Sequence, residues 1–207
     1  FPSRTRRLNS SARPRVYRRM ASNEYHFLTS WRVPGTCEEV SSILGEALDL
    51  PRWWPAVYLD VRELEPGDET GVGKVIALYT RGWLPYRLRW QFRVTEVARP
   101  HALALEAWGD FNGAGRWTFI QDGTFVHVTY DWRIRAEKPL LRRLSWLLKP
   151  AFAANHRWAM ARGEESLLLE LRRRHEPDAA LRALIPPPPV ARALPVRRIA
   201  ALVGTAA

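Results

Sequence analysis

The sequence predicts an α+β chain: a curved antiparallel sheet of six to seven strands wrapped around one long C-terminal helix, with two short helices after the first strand. Three observations predict it. Six consecutive segments between Val57 and Arg135 read as strands separated only by short turn signals, and connections that short demand antiparallel neighbours. From Pro139 to about Arg174 the apolar period lengthens from two residues to that of a helix. Between the first strand and this series lies a helix-capping signature.

Glu24 to Val33 alternates, with Tyr25, Phe27, Thr29, Trp31 and Val33 on one side, which predicts a strand. Pro34-Gly35 turns the chain. Thr36-Cys37-Glu38-Glu39 reads as a capping box, Thr36 capping and Glu39 reaching back. The helix it opens carries Val40, Ile43, Leu44 and Ala47 on one face, and a second short helical piece, Leu48 to Trp54, is stopped by Pro55. Strands are expected over Val57–Leu64, Gly71–Thr80, Pro85–Val97, Ala102–Trp108, Gly115–Gln121 and Thr124–Arg135. The turns between them are marked by Pro66-Gly67-Asp68, Arg81-Gly82, Arg99-Pro100, Asp110 to Gly113 and Asp122-Gly123. In two strands the two faces are plain to see: Tyr86, Leu88, Trp90, Phe92 and Val94 oppose Arg87, Arg89, Gln91, Arg93 and Thr95, and Val126, Val128, Tyr130, Trp132 and Ile134 oppose His127, Thr129, Asp131, Arg133 and Arg135. One face is apolar and the other wet. Along the last helix Leu144, Leu148, Phe152, Asn155 or His156, Ala159, Gly163, Leu167 and Leu171 form a stripe. Pro150 is expected to bend or divide this helix, and Gly163 to let it approach the sheet closely. The concave face of such a sheet is too large for one helix to fill, so a cavity between them is expected.

The 207 residues are enough for one domain with tails, and a hydrophobic content of 46% is that of a globular chain. The net charge of +11 raises nucleic acid as a partner, but the charge lies in the tails. Residues 1–19 hold seven arginines and no acid, and residues 176–207 hold four arginines against Glu176 and Asp178, which leaves +2 for residues 20–175. No basic face is needed to explain the domain, and no specific nucleic-acid partner is expected. The three parts are a disordered basic arm over 1–19, a ligand-binding domain over 20–175 and a Pro-rich tail over 176–207, with Pro186 to Pro189 consecutive. Met20-Ala21-Ser22 resembles a natural start, so the arm is read as an upstream extension; an organelle transit peptide, equally rich in Arg and Ser, is the alternative. No stretch approaches the length of a membrane span, and no signal peptide with a cleavage site is seen. A cytoplasmic location is expected, and the few lysines among many arginines fit a GC-rich bacterial coding sequence.

Several local strings, in this order of elements, resemble the START-like (SRPBCC) superfamily of helix-grip proteins, nearest to its polyketide cyclase/dehydrase and lipid-transport branch. They are Trp31-Arg32-Val33-Pro34, Arg52-Trp53-Trp54-Pro55-Ala56-Val57, Gly71-Val72-Gly73, Arg81-Gly82-Trp83-Leu84-Pro85-Tyr86, Gly109-Asp110-Phe111-Asn112-Gly113-Ala114-Gly115-Arg116-Trp117 and Asn155-His156. The resemblance covers about residues 24–173 and implies a cavity that holds an apolar small molecule. It implies no fixed catalytic set, since cyclases, aromatase-like enzymes, lipid carriers and hormone receptors share the pattern.

The ten tryptophans are the main functional signal. Trp31, Trp53, Trp54, Trp90, Trp108, Trp117, Trp132 and Trp158, with Tyr79, Tyr86, Phe92, Phe111 and Tyr130, fall mostly on inward strand positions or at the cavity mouth. Such rings give flat apolar contact with one polar handle each, which suits a planar or polycyclic ligand. The alternative is that they simply fill the interior. The expected lining is Trp31, Trp54, Tyr79, Tyr86, Trp90, Phe92, Trp108, Phe111, Trp117, Tyr130, Trp132, Phe152, Asn155 and His156. Tyr86, Tyr130, Asp110, Asn155 and His156 are the candidate polar anchors. Of these His156, Tyr130 and Asp110 are the catalytic candidates, although turn chemistry accounts for Asp110 and a satisfied helix histidine for His156. Cys37 would sit in a helix first turn, where a thiolate is somewhat favoured, yet no base lies near it in sequence. The scattered histidines support no metal, and neither a hydrolase elbow, a phosphate loop nor a dinucleotide turn is present, so no cofactor is expected. Three functions fit: a binder of a lipid- or polyketide-like molecule, a cyclase or dehydratase using the same cavity, and a scaffold that recruits a partner through its tails. The oligomeric state is left open.

Overall fold

The structure is a computed structural model describing residues 23–136 and 139–191, the side chains of 136 and 139–148 excepted. The basic arm and the chain beyond 191 lie outside the described residues, as do the side chains of Leu144 and Leu148.

Seven strands form one sheet: β1 (Glu24–Pro34), β2 (Tyr58–Glu65), β3 (Val75–Arg81), β4 (Arg87–Ala98), β5 (Ala102–Gly109), β6 (Phe111–Asp122) and β7 (Phe125–Ala136). Their order is β1-β7-β6-β5-β4-β3-β2, with every neighbouring pair antiparallel. Helices α1 (Cys37–Gly45) and α2 (Leu50–Trp53) follow β1, and α3 (Pro139–His175) is the long helix that the sheet grips. The expected α+β architecture is the one observed. The capping box is present, with Thr36 Oγ1 accepting from Glu39 N at 3.2 Å and Glu39 Oε2 accepting from Thr36 N at 2.9 Å.

The structure departs from the expected boundaries in six places. Residues 71–74 are turn and not strand, because Asp68 Oδ1 accepts from Thr70 N, Thr70 Oγ1 and Val72 N, while Gly71 and Gly73 take φ of +89° and +84°. The piece at 48–54 divides into a single 3₁₀ turn over Ala47–Asp49 and α2. Strand β4 starts at Arg87, the preceding loop being held by α3 instead. Strand β6 starts at Phe111, so Asn112-Gly113-Ala114 pair along β7 and the corner is Asp110 alone, whose Oδ2 accepts from Arg89 N at 3.0 Å. Helix α3 is not divided: it runs through Pro150, which lies on its exposed side. A short α4 (Ala179–Ala183) follows, capped by Asp178 where only a tail was expected.

The core lies at one end of the grip. Val33, Val40, Ile43, Ile76, Phe119, Val126, Val128, Leu167 and Leu171 are almost wholly buried there. Burying a side chain of this kind stabilises the fold by about 1.5–3 kcal/mol. Leu167 and Leu171 come from the C-terminal half of α3, so that half is anchored, while the half beginning at Phe152 faces a less filled stretch of sheet.

Candidate functional site

The concave face owes its aromatic lining to strand periodicity. Phe27 pairs with Trp132, Thr29 with Tyr130 and Trp117 with Tyr130 in register, and side chains of paired residues point the same way. The result is a run of touching rings drawn from three strands, β4, β6 and β7. Trp117 stacks on Tyr130 at 3.9 Å, Tyr130 on Trp132 at 5.5 Å, Trp132 meets Phe111 edge-on at 5.7 Å, and Phe111 lies 4.9 Å from Trp90. Glycine makes the room. A Cβ on Gly115 would stand 2.6 Å from the Tyr130 hydroxyl and 2.7 Å from the Trp132 ring, so only glycine lets these rings lie down on β6.

Helix α3 covers this floor with Phe152, Asn155, His156, Ala159 and Met160, a spacing that puts all five on one helical face. Two close approaches fix it. A Cβ on Gly163 would stand 2.2 Å from the Trp54 ring, so the indole lies flat on the helix backbone. Asn155 sits against Gly82, and its Oδ1 accepts from Trp83 N at 3.0 Å and Leu84 N at 3.3 Å, pinning the loop between β3 and β4 over the cavity.

Between helix and floor lies a cavity with about 170 Å³ of room for the centres of water-sized spheres, roughly ten times what one water needs. Of the residues expected there, Trp54, Tyr86, Trp90, Phe111, Tyr130, Trp132, Phe152, Asn155 and His156 line it. The other five do not. Trp31 is core, packed on Trp54 at 5.9 Å and Trp117 at 5.4 Å. Phe92 and Trp117 line a smaller hollow of about 110 Å³ beside α1. Tyr79 and Trp108 lie on the outer face of the sheet, where Arg89 covers the Tyr79 ring at 5.0 Å. Asp110 is the corner of β5 and β6, outside the cavity. Sequence reading missed Tyr25, Phe27, Tyr58, Thr80 and Arg81, all of which line the cavity. For Tyr25 and Phe27 the signal was already there, in the alternation of β1. Arg81 gave none, because the residue ending a strand has no assigned face until the loop after it is placed.

The polar groups of the cavity are held uncharged apart from Arg81. Burial, and secondarily Arg157, pushes the His156 imidazole down to about 4, so it is neutral at pH 7. It stacks on Phe27 at 4.1 Å and its Nε2 lies 3.4 Å from Thr29 Oγ1. Burial pushes the Tyr130 and Tyr58 hydroxyls well up, and Tyr86 up to about 12, so all three remain protonated donors. Elsewhere Cys37 is buried, and that burial followed by Glu38 raises its thiol, the reverse of an activated nucleophile. Among the described residues no group of His, Cys, Asp or Glu is gathered for a metal, and no helix is long and apolar enough to cross a membrane.

Fold and cavity together define a helix-grip architecture, and comparison with solved structures agrees on the fold. The chain is similar to a protein of Thermus thermophilus at 15% identity and a TM-score of 0.58, over 70% of this chain and 99% of that one. It is similar to the Zhui aromatase/cyclase of a Streptomyces species at 18% identity and a TM-score of 0.57, over 74% of this chain and 97% of that one. The Thalictrum norcoclaurine synthase follows at 13% identity and a TM-score of 0.52, over 72% and 96%. At these identities the likeness is one of fold. No family model and no curated protein matches the sequence.

Proposed function

We propose that residues 20–175 form a domain that binds a hydrophobic, lipid- or polyketide-like small molecule between α3 and the sheet. The observation that carries this reading is the lined but unfilled cavity: aromatic rings on the floor, an apolar helix face above, and a loop pinned across the mouth by Asn155. An apolar wall with a few fixed polar groups is what a ligand pocket requires. Native mass spectrometry of protein purified from its host tests it. A stoichiometric apolar small molecule is expected. Protein that is empty, and whose tryptophan fluorescence ignores a panel of lipids and polycyclic aromatics, would overturn the reading.

A cyclase or dehydratase using the same cavity is the second reading. The presence of His156 and Tyr130 in the cavity favours it, as does the likeness to an aromatase/cyclase, although burial moves both groups away from the pH at which acid–base catalysis is strongest. Against it, His156 is oriented by Phe27 and Thr29, with no carboxylate among the described residues lining the cavity. Loss of turnover in Tyr130→Phe or His156→Ala with binding retained would move the assignment to the enzyme.

A further inference from the structure

We infer that the molecule taken up is an amphipathic acid, an aromatic or polyene body bearing one anionic oxygen group that seats against Arg81. This rests on the binding reading above and specifies its ligand.

The charge of the lining comes first. Arg81 is the one permanently charged residue among those lining the cavity, and no Asp or Glu is among them. Among the described residues it forms no ion pair, and its Nε is buried without a hydrogen-bond partner. Arg162 Nε is also buried without a partner, but the Arg162 guanidinium meets Glu165, whereas Arg81 has no such carboxylate among the described residues. A guanidinium whose Nε is buried without a partner keeps a donor that an incoming anionic oxygen can take up in a charge-assisted hydrogen bond. Other positive groups stand close by. Lys149 Nζ lies 5.6 Å above the Tyr25 ring, and the charge of Arg157 is felt by His156.

The hydrogen-bonding inventory points the same way. Two acceptors of the lining are occupied: Asn155 Oδ1 by two backbone N–H groups, and Thr80 Oγ1 by Trp90 Nε1 at 3.1 Å. Trp54 Nε1, by contrast, is a donor buried without an acceptor, and the hydroxyls of Tyr58, Tyr86 and Tyr130 stay protonated and able to donate. Trp53 Nε1 is likewise unpartnered within the packed core, so an indole alone would prove little. It is the combination with Arg81 that asks for an acceptor-rich ligand. A neutral hydrocarbon would leave Trp54 Nε1 and Arg81 Nε unpaired, at a cost for each buried group.

A matched pair of fluorescent probes tests this: anilinonaphthalene sulfonate, and phenylnaphthylamine, which has the same rings without the anion. Titrated into the full chain at physiological salt, the sulfonate should bind about tenfold or more tighter, as a charge-assisted contact implies. Arg81→Gln should abolish that preference while leaving the neutral probe within about twofold, and binding of the neutral probe also reports that the variant is folded. Equal affinities in the unaltered chain, or a preference that survives Arg81→Gln, would overturn the inference and leave the cavity reading standing. If neither probe binds, the cavity reading fails and takes the inference with it.

Discussion

The two halves of α3 meet the same sheet on different terms. In the C-terminal half Gly163 receives the Trp54 ring, Leu167 and Leu171 are almost wholly buried, and Glu170, buried in spite of its charge, is satisfied by two arginines. In the half around residues 152–160 the helix faces space, and the cation there, Arg81, has no counter-charge among the described residues. One half is closed by packing and pairing, the other left for something from outside. This contrast separates scaffold from site more cleanly than residue type does, since aromatic rings are abundant at both ends.

The sharpest way to break the comparison is to remove packing from each half in turn. Leu167→Ala should cost about 2–5 kcal/mol in denaturant unfolding, since Leu167 is fully enclosed and the gap cannot collapse. Phe152→Ala, which opens onto an existing cavity, should cost less while weakening ligand binding more. Equal losses of stability in the two variants would mean that the cavity is filled in solution.

Acid is the next largest lever. The imidazole of His156 lies at about 4 in the folded chain against an ordinary 6.5. The unfolded chain therefore takes up a proton over that interval before the folded chain does, and stability falls as pH drops from about 6.5 to 4. The loss amounts to at most about 3 kcal/mol from this residue. Glu170, held below the usual carboxylate range by Arg52 first and Arg174 next, adds its own loss at lower pH. His156→Gln should flatten the stability profile between pH 6.5 and 4 and leave the more acidic limb unchanged; an unflattened profile would show that the imidazole is hydrated.

At the packed end, Arg52 donates to both Glu170 oxygens at 2.8 Å while itself half exposed. Arg52→Ala should cost about 1.5–3 kcal/mol, because Arg174 still serves the Glu170 carboxylate. A cost near zero, measured by thermal unfolding with Arg174 intact, would reduce this pairing to an ordinary surface salt bridge.

How much of this is legible in the sequence follows from the same division. The strands, the capping box and the helical stripe are periodic, and periodicity is local, so the fold could be read residue by residue. The cavity could be read only in part. Tyr130, Trp132 and Phe152 fall on inward positions that alternation assigns, but the same alternation also selects Trp31 and Phe92, which the structure places in the core and in a neighbouring hollow. Which inward ring is covered and which is left open depends on where α3 crosses, and Gly163 and Gly82 set that crossing by contacts with Trp54 and Asn155, both remote in sequence. Gly113 was read as part of a turn, whereas it lies in β6, where a Cβ would meet the Arg133 carbonyl and Ile134 of β7. Tyr79 and Trp108 failed for a simpler reason: both are aromatic, and both face outward.

The smallest effect expected on stability carries the most information about the site. Asn155 holds the loop from Gly82 to Tyr86 by accepting from two backbone N–H groups, and its side chain fills the place a Cβ on Gly82 would need. Asn155→Ala should cost only about 1 kcal/mol, the usual net worth of such bonds near a surface. The loop, however, carries Tyr86 and follows directly on Arg81, so its release should speed both entry and exit of a ligand. The measurement is stopped-flow fluorescence with the neutral naphthylamine probe. A dissociation rate raised several-fold with little change in melting temperature would identify the loop as the gate; an unchanged rate would place the entrance elsewhere.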